Sequence, residues 1–152
     1  MKKSLFIVAA IAIVFAFTSC NKENSYTGRY KGTYTFFKAD GNVNNPDSTK
    51  SGKTVPVLQA TTSSILLYDV IPLNATSDGI YATSDLQGEL LSTLLQMTGI
   101  SQSTADQISN VRITADLTQK DYLSFKATYD VSLYGLATVE VRILQFDGQK
   151  QK

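Results

Sequence analysis

The sequence predicts a mainly β domain. Its antiparallel strands form a meander that curves into a sheet or partly closed barrel, with one amphipathic helix inserted at about residues 84–97. Three observations predict this. Residues 111–117 and 123–133 alternate apolar and polar side chains with the period of two that marks half-buried strands. Upstream of them, leucines recur at helical rather than strand spacing. Stretches rich in turn-forming residues join the strands, as antiparallel neighbours allow. A two-sheet sandwich is the alternative architecture.

In chain order, Tyr26 to Phe37 (YTGRYKGTYTFF) sets Tyr30, Gly32, Tyr34 and Phe36 on one side and Arg29, Lys31, Thr33 and Thr35 on the other, which is a first strand. Lys38 to Gly52 (KADGNVNNPDSTKSG) carries Asn, Asp, Gly, Ser and Pro, which supply turn geometry rather than a core, and reads as a long mobile hairpin loop. Lys53 to Ala60 follows as a strand, and the missing N–H of Pro56 places it at a sheet edge. Ser63 to Leu73 (SSILLYDVIPL) is apolar on both faces, a strand covered on both sides that Pro72 ends or bends.

The cover is Ser84 to Met97. Leu86, Leu90, Leu91, Leu94 and Leu95 share a helical face there, Ser84 with Gln87 resembles a capping box, and Gly99 supplies a stop. Ser101 to Ile108 adds a short serine-capped helical turn. Val111, Ile113, Ala115 and Leu117 then alternate with Arg112, Thr114 and Asp116. Leu123, Phe125, Ala127, Tyr129, Val131 and Leu133 alternate with Ser124, Lys126, Thr128, Asp130 and Ser132. After a tight connection at Gly135, Val139, Val141 and Ile143 continue the apolar face against Glu140 and Arg142. Leu144 and Phe146 switch sides, which predicts a bulge near Ile143. One domain, 26–148, accounts for all of this, with no internal repeat.

Composition narrows the chemistry. The 152 residues are 43% hydrophobic and 18% charged, suited to one compact core. Without Lys2 and Lys3, two of the 14 basic residues, 12 remain against 13 acidic, so no clustered positive face points to nucleic acid. The absence of histidine rules out Ser-His-Asp and Cys-His catalysis and any histidine-held zinc or haem. Carboxylates, tyrosines, lysines and hydroxyls are what remain, and the chain reads as a non-enzyme with no cofactor or metal.

Asp40, Asn42 and Asn44 match the first ligand spacings of a calcium loop. Asn45 then stands where the sharp-turn glycine belongs, and Ser51 where a bidentate glutamate belongs, so this is a hairpin loop. Asp116, Asp130 and Glu140, beside Arg112, Lys126 and Arg142, read as charge pairs on a solvated sheet face. Asp69, among Leu66, Leu67, Tyr68, Val70 and Ile71, reads as a turn or strand-end residue in need of a partner. Tyr30, Tyr34, Phe36 and Tyr129 are candidates to line a ligand cavity, with core packing as the other reading.

Lys2-Lys3 followed by the unbroken apolar run Leu5 to Phe17 has the pattern of a secretory leader and falls short of the ~20 residues of a transmembrane helix. Phe17-Thr18-Ser19-Cys20 resembles a bacterial lipobox. That resemblance implies a signal peptide over 1–19, lipidation of Cys20, a polar tether over 20–25, and an outer-membrane lipoprotein of the cell envelope, on its periplasmic face or at the cell surface. Several acyl chains on one cysteine would anchor stably where a single chain would not. The alternative is a plain signal peptide with a free cysteine.

Gly28-Arg29-Tyr30 resembles the G-x-W opening of lipocalin and calycin barrels, with tyrosine in place of tryptophan. The whole chain is similar to small Bacteroidetes-type lipoproteins with calycin-like β domains. The resemblance implies a lipocalin-like barrel acting as a non-enzymatic binding or accessory protein for a small apolar or glycan ligand. A structural or adhesion subunit making protein–protein contacts through its Pro56 edge or long loop is the second expectation, and a carboxylate hydrolase the third.

Overall fold

In the computed structural model, whose described residues are 26–38, 46–132 and 139–152, eight antiparallel strands close into a barrel in strict chain order. The strands are β1 (Gly28–Lys38), β2 (Ser48–Thr61), β3 (Ser64–Leu67), β4 (Ile71–Ser77), β5 (Ile80–Thr83), β6 (Ile108–Asp116), β7 (Tyr122–Ser132) and β8 (Val139–Lys150). Each pairs with the next, and β1 pairs with β8 from Tyr30↔Lys150 to Lys38↔Arg142. The sheet is therefore one closed barrel rather than two packed sheets. The leader, Cys20 and the tether, the loop positions 39–45 that include Asp40, Asn42 and Asn44, and Leu133 to Gly135 lie outside the described residues.

Closure corrects the placement of Pro56, because no described strand of the barrel is an edge. The Pro56 carbonyl accepts from the Tyr68 N–H at 2.8 Å, one residue past the end of β3. The absent donor thus points where the ladder has already stopped, and no strand bond is lost. Nor is Ser48–Gly52 loop. It pairs with β1 through a bulge opposite Thr33, so backbone pairing overrides its polar composition.

Ser63 to Leu73 is not one strand but two, β3 and β4, folded back at Tyr68 and Asp69, both left-handed with φ of 53° and 63°. Two positive φ values in succession make the tight reversal whose twist suits a hairpin. The apolar residues that read as two faces of one strand are the inward faces of two: Ile65, Leu67, Ile71 and Leu73 are all fully buried. Asp69 is exposed in this turn.

β8 runs against β7 in unbroken register from Tyr122↔Gln149 to Ser132↔Val139, so there is no bulge at Ile143. Leu144 and Phe146 point inward and fix the phase. Glu140 and Arg142 therefore share the interior side, while Val139 and Val141 face outward and are exposed.

The helix α1 spans Gly88–Thr98, with its N-cap at Gln87, three residues later than the capping-box reading places it at Ser84. Left-handed backbone at Asp85 and Gly88 keeps the preceding segment out of the helix, and the N-terminal residue Gln87 makes no side-chain cap. Gly99 does end it, at φ 72°, with its N–H on the Gln96 carbonyl. Leu91, Leu94 and Leu95 enter the same apolar cluster as the barrel interior, so α1 plugs the end to which β5 runs and from which β6 starts. A 3-10 helix at Gln102–Gln107 follows. Ser101 precedes it without capping it, its hydroxyl bonding Ser103 instead.

Inside, the barrel is filled. The Phe125 and Phe146 rings stack with centroids 5.5 Å apart, and Tyr34 packs on Phe146 at 5.2 Å. Each such side chain withdrawn from water contributes about 1.5–3 kcal/mol.

Candidate functional site

The opposite end of the barrel, where the chain enters β1 and leaves β8, carries a cleft of about 420 Å³. Its walls are Tyr26 and Tyr30 from the entry to β1 and residues 117–122 from the β6–β7 connection. That connection is pinned on both flanks. Leu117 N–H donates to the Gly79 carbonyl at 2.8 Å, and Lys150 N–H donates to the Asp121 carbonyl at 2.8 Å. Tyr122 N–H closes the turn on the Gln119 carbonyl at 3.2 Å, with Asp121 left-handed at φ 57°, a conformation aspartate tolerates. Asp116 accepts from both the N–H and the hydroxyl of Thr118 at 2.9 and 2.6 Å, bonds that hold its carboxyl below the usual carboxylate range.

The aromatic groups of the cleft are held by polar contacts. The Tyr30 hydroxyl donates to the Tyr26 carbonyl at 2.9 Å. Burial, with smaller contributions from Asp121 and Tyr26, pushes its pKa up to about 12. Tyr26 sets its ring edge-on to Tyr81, centroids 5.9 Å apart. The Tyr122 hydroxyl donates to Asp147 at 3.1 Å, and the other oxygen of that carboxylate accepts from Gln145 at 2.7 Å. Burial, then this bond, raises the Tyr122 pKa. Tyr30 and Tyr122 are thus neutral donors at ordinary pH. Among the described residues Asp121 is the one carboxylate side chain lining the cleft. Beside these rings Gln119, Lys120 and Asp121 offer amide, ammonium and carboxylate groups, an arrangement that can hold an amphipathic or sugar-like molecule.

Of the four aromatic residues singled out in the sequence, only Tyr30 reaches this cleft. Tyr34 is enclosed in the core. Phe36 is half-buried toward the other end, with the Lys50 ammonium 5.1 Å from its ring centre and bonded to the Gly99 carbonyl at 3.2 Å. Tyr129 is buried directly across from Arg142. Burial raises its pKa, Arg142 opposes the rise and Glu140 adds to it. The solvated-face reading of Glu140 and Arg142 is corrected here. They form an ion pair at 2.9 Å on the interior side, and among the described residues the Arg142 Nε is buried with no hydrogen-bond partner.

Tyr122 and the Gln119–Asp121 turn were not singled out in the sequence. Their only signal is a polar turn between the two best-patterned strands, and nothing in that pattern says that the turn faces Tyr26 and Tyr30.

Among the described residues no group of acids or cysteines is placed to hold a metal ion, and no helix is long and apolar enough to cross a membrane. The fold defines the class: a closed eight-stranded antiparallel barrel with one inserted helix. Comparison with protein-family models, curated proteins and solved structures finds no match to this chain.

Proposed function

We propose that this chain is a bacterial lipoprotein anchored in the outer membrane through lipidated Cys20, and that it serves the cell envelope as a non-enzymatic binding or accessory protein for a small apolar or glycan ligand. The observation that carries the binding role is the cleft between Tyr26, Tyr30 and the 117–122 turn, which combines aromatic walls with exposed polar groups. Since Tyr34, Phe125 and Phe146 fill the barrel, the ligand sits at this rim and not in a lipocalin-like interior. The anchoring role is supported by the Lys2-Lys3 start, the apolar run and the Phe17–Cys20 motif.

A second reading is favoured by the same filled interior together with the outward Val139 and Val141 at the start of β8: a structural or adhesion subunit whose wall meets another protein. Intact-mass analysis of the protein purified from a bacterial membrane tests the anchor. An acylated Cys20 as first residue is expected, and an unmodified residue 20 still joined to its leader overturns the reading. For the ligand, nuclear magnetic resonance titration with envelope glycans and apolar probes should shift Tyr26 and Tyr122. Shifts confined to Val139 and Val141 on adding envelope extract would favour the adhesion subunit.

A further inference from the structure

The cleft does not stand alone at its end of the barrel. A second depression of about 420 Å³ adjoins it, sharing residues 119–122 and completed by Gln149–Lys152. Together they make one elongated trough that runs from the Tyr26 and Tyr30 walls, past Tyr122, to residues 149–152. Each part is of a size that takes a small molecule.

Neither sign of charge prevails there. Lys120, Lys150 and Lys152 border the trough, and Lys150 is already engaged. Against them stand Asp121 in the lining, the main-chain carboxylate of Lys152, and Asp147 and Asp116 close by, both ionised because Tyr122, Gln145 and Thr118 bond them as neutral donors. A charged ligand therefore gains little from the local field. The trough offers three exposed side-chain amides instead, on Gln119, Gln149 and Gln151, beside the half-buried rings of Tyr26 and Tyr122. The Tyr122 ring is held at its tip by the bond to Asp147.

We propose that the trough is one site for a neutral oligosaccharide of more than one sugar unit, one unit resting against Tyr26 and the next against Tyr122, with the Gln119, Gln149 and Gln151 amides pairing its hydroxyls. A sugar ring has an apolar C–H face that suits an aromatic ring. Its hydroxyls each donate and accept, and a side-chain amide answers both roles from one group. An apolar ligand would strip water from those amides without replacing its bonds. The inference rests on the binding-protein reading above and narrows its ligand to one class.

Nuclear magnetic resonance of the full chain with labelled tyrosine rings, held in micelles of dodecyldimethylamine oxide, a detergent without sugar, tests this. The probes are maltohexaose, laminarihexaose and N-acetylchitohexaose, each beside its own monosaccharide, with a galacturonic acid hexamer as the acidic counterpart and cyclohexanol as an apolar ring of similar size. At least one neutral hexasaccharide is expected to shift the Tyr26 and Tyr122 signals and to bind roughly tenfold more tightly than its monosaccharide, since a linked second unit adds contacts at little further cost in free motion. Gln119→Ala/Gln149→Ala, confined to exposed side chains, should weaken that binding about fivefold with Tm unchanged. Tyr122→Leu should weaken it at least as much. Failure of all three neutral hexamers to bind, equal affinity for hexamer and monosaccharide, preference for the acidic hexamer, or binding that survives the glutamine replacements overturns the proposal. Cyclohexanol shifting both rings where the sugars do not sinks the oligosaccharide alone and keeps the cleft as a ligand site. Silence of both rings toward every probe sinks the ligand site as well.

Discussion

The hydroxyls of Tyr34 and Tyr68 hydrogen-bond to each other inside the barrel, joining β1 to the β3–β4 turn. Burial pushes the pKa of both upward, so both are neutral and one donates to the other. Tyr68 makes this bond from left-handed backbone, φ 53°, which is uncommon for so large a side chain. The reversal that splits β3 from β4 thus also delivers a polar group to the one partner that satisfies it among the described residues.

Tyr34→Phe and Tyr68→Phe should therefore each cost about 1–2 kcal/mol, because each leaves a buried hydroxyl unpaired. The double replacement should cost clearly less than the sum, as both polar groups leave together. Urea unfolding of the four proteins measures this, and strict additivity would show that the pair is not coupled.

Gly32 faces Gly148 across the β1–β8 seam, and a Cβ on Gly32 would lie 1.9 Å from the Asp147 carbonyl oxygen. The obstacle is backbone, which cannot swing aside. Gly32→Ala should cost about 3 kcal/mol or more, seen as a lowered Tm and reduced soluble yield.

Leu94 is 2% exposed where α1 plugs the barrel, whereas Met97 on the same helix is 49% exposed. Leu94→Ala should lose about 2–5 kcal/mol through lost burial and a residual cavity. Met97→Ala should stay within about 0.5 kcal/mol. Thermal unfolding of the two variants compares them, and equal effects would mean that the helix does not seal the end.

High pH should destabilise the domain steeply. Tyr30 is raised from 10.0 to about 12, and Tyr34, Tyr68, Tyr81 and Tyr129 are raised as well. A raised pKa means that the folded state keeps a proton the unfolded chain releases. The stabilisation is complete below pH 10 and is lost above it, by at most about 1.4 kcal/mol per pH unit for a well-buried hydroxyl such as that of Tyr68, and by less for those nearer solvent such as Tyr81, until the folded pKa is passed. Tyrosinate absorbance should rise together with loss of circular dichroism, and titration of all eight tyrosines near pH 10 in an intact fold would contradict this.

The parts legible in the sequence are those where one face alone is buried. Val111 to Leu117 and Leu123 to Val131 alternate because one side meets the core and the other meets water, and the structure keeps that phase residue for residue. Legibility fails where a strand leaves that regime. At the start of β8, Leu144 and Phe146 lock the register and carry Glu140 and Arg142 inward, against the pattern of Val139 and Val141. In β3 and β4, two buried faces joined by a three-residue reversal, Tyr68 to Val70, mimic one strand with two. Of the candidate site, Tyr30 could be read because it lies on a patterned strand. The 117–122 turn could not, because its neighbours are set by closure of the barrel.

Closure places a demand on synthesis order. The seam joins the first strand to the last, and the Gln151 N–H still reaches the Arg29 carbonyl at 2.7 Å beyond the end of β8. A chain emerging from its amino end, whether from a ribosome or a translocation pore, holds β1 with one unsatisfied flank until β8 is free. That flank is a template for pairing with any other extended segment nearby. A chain truncated before β8 would therefore be left with an open, pairing-prone sheet in place of a slightly shorter domain.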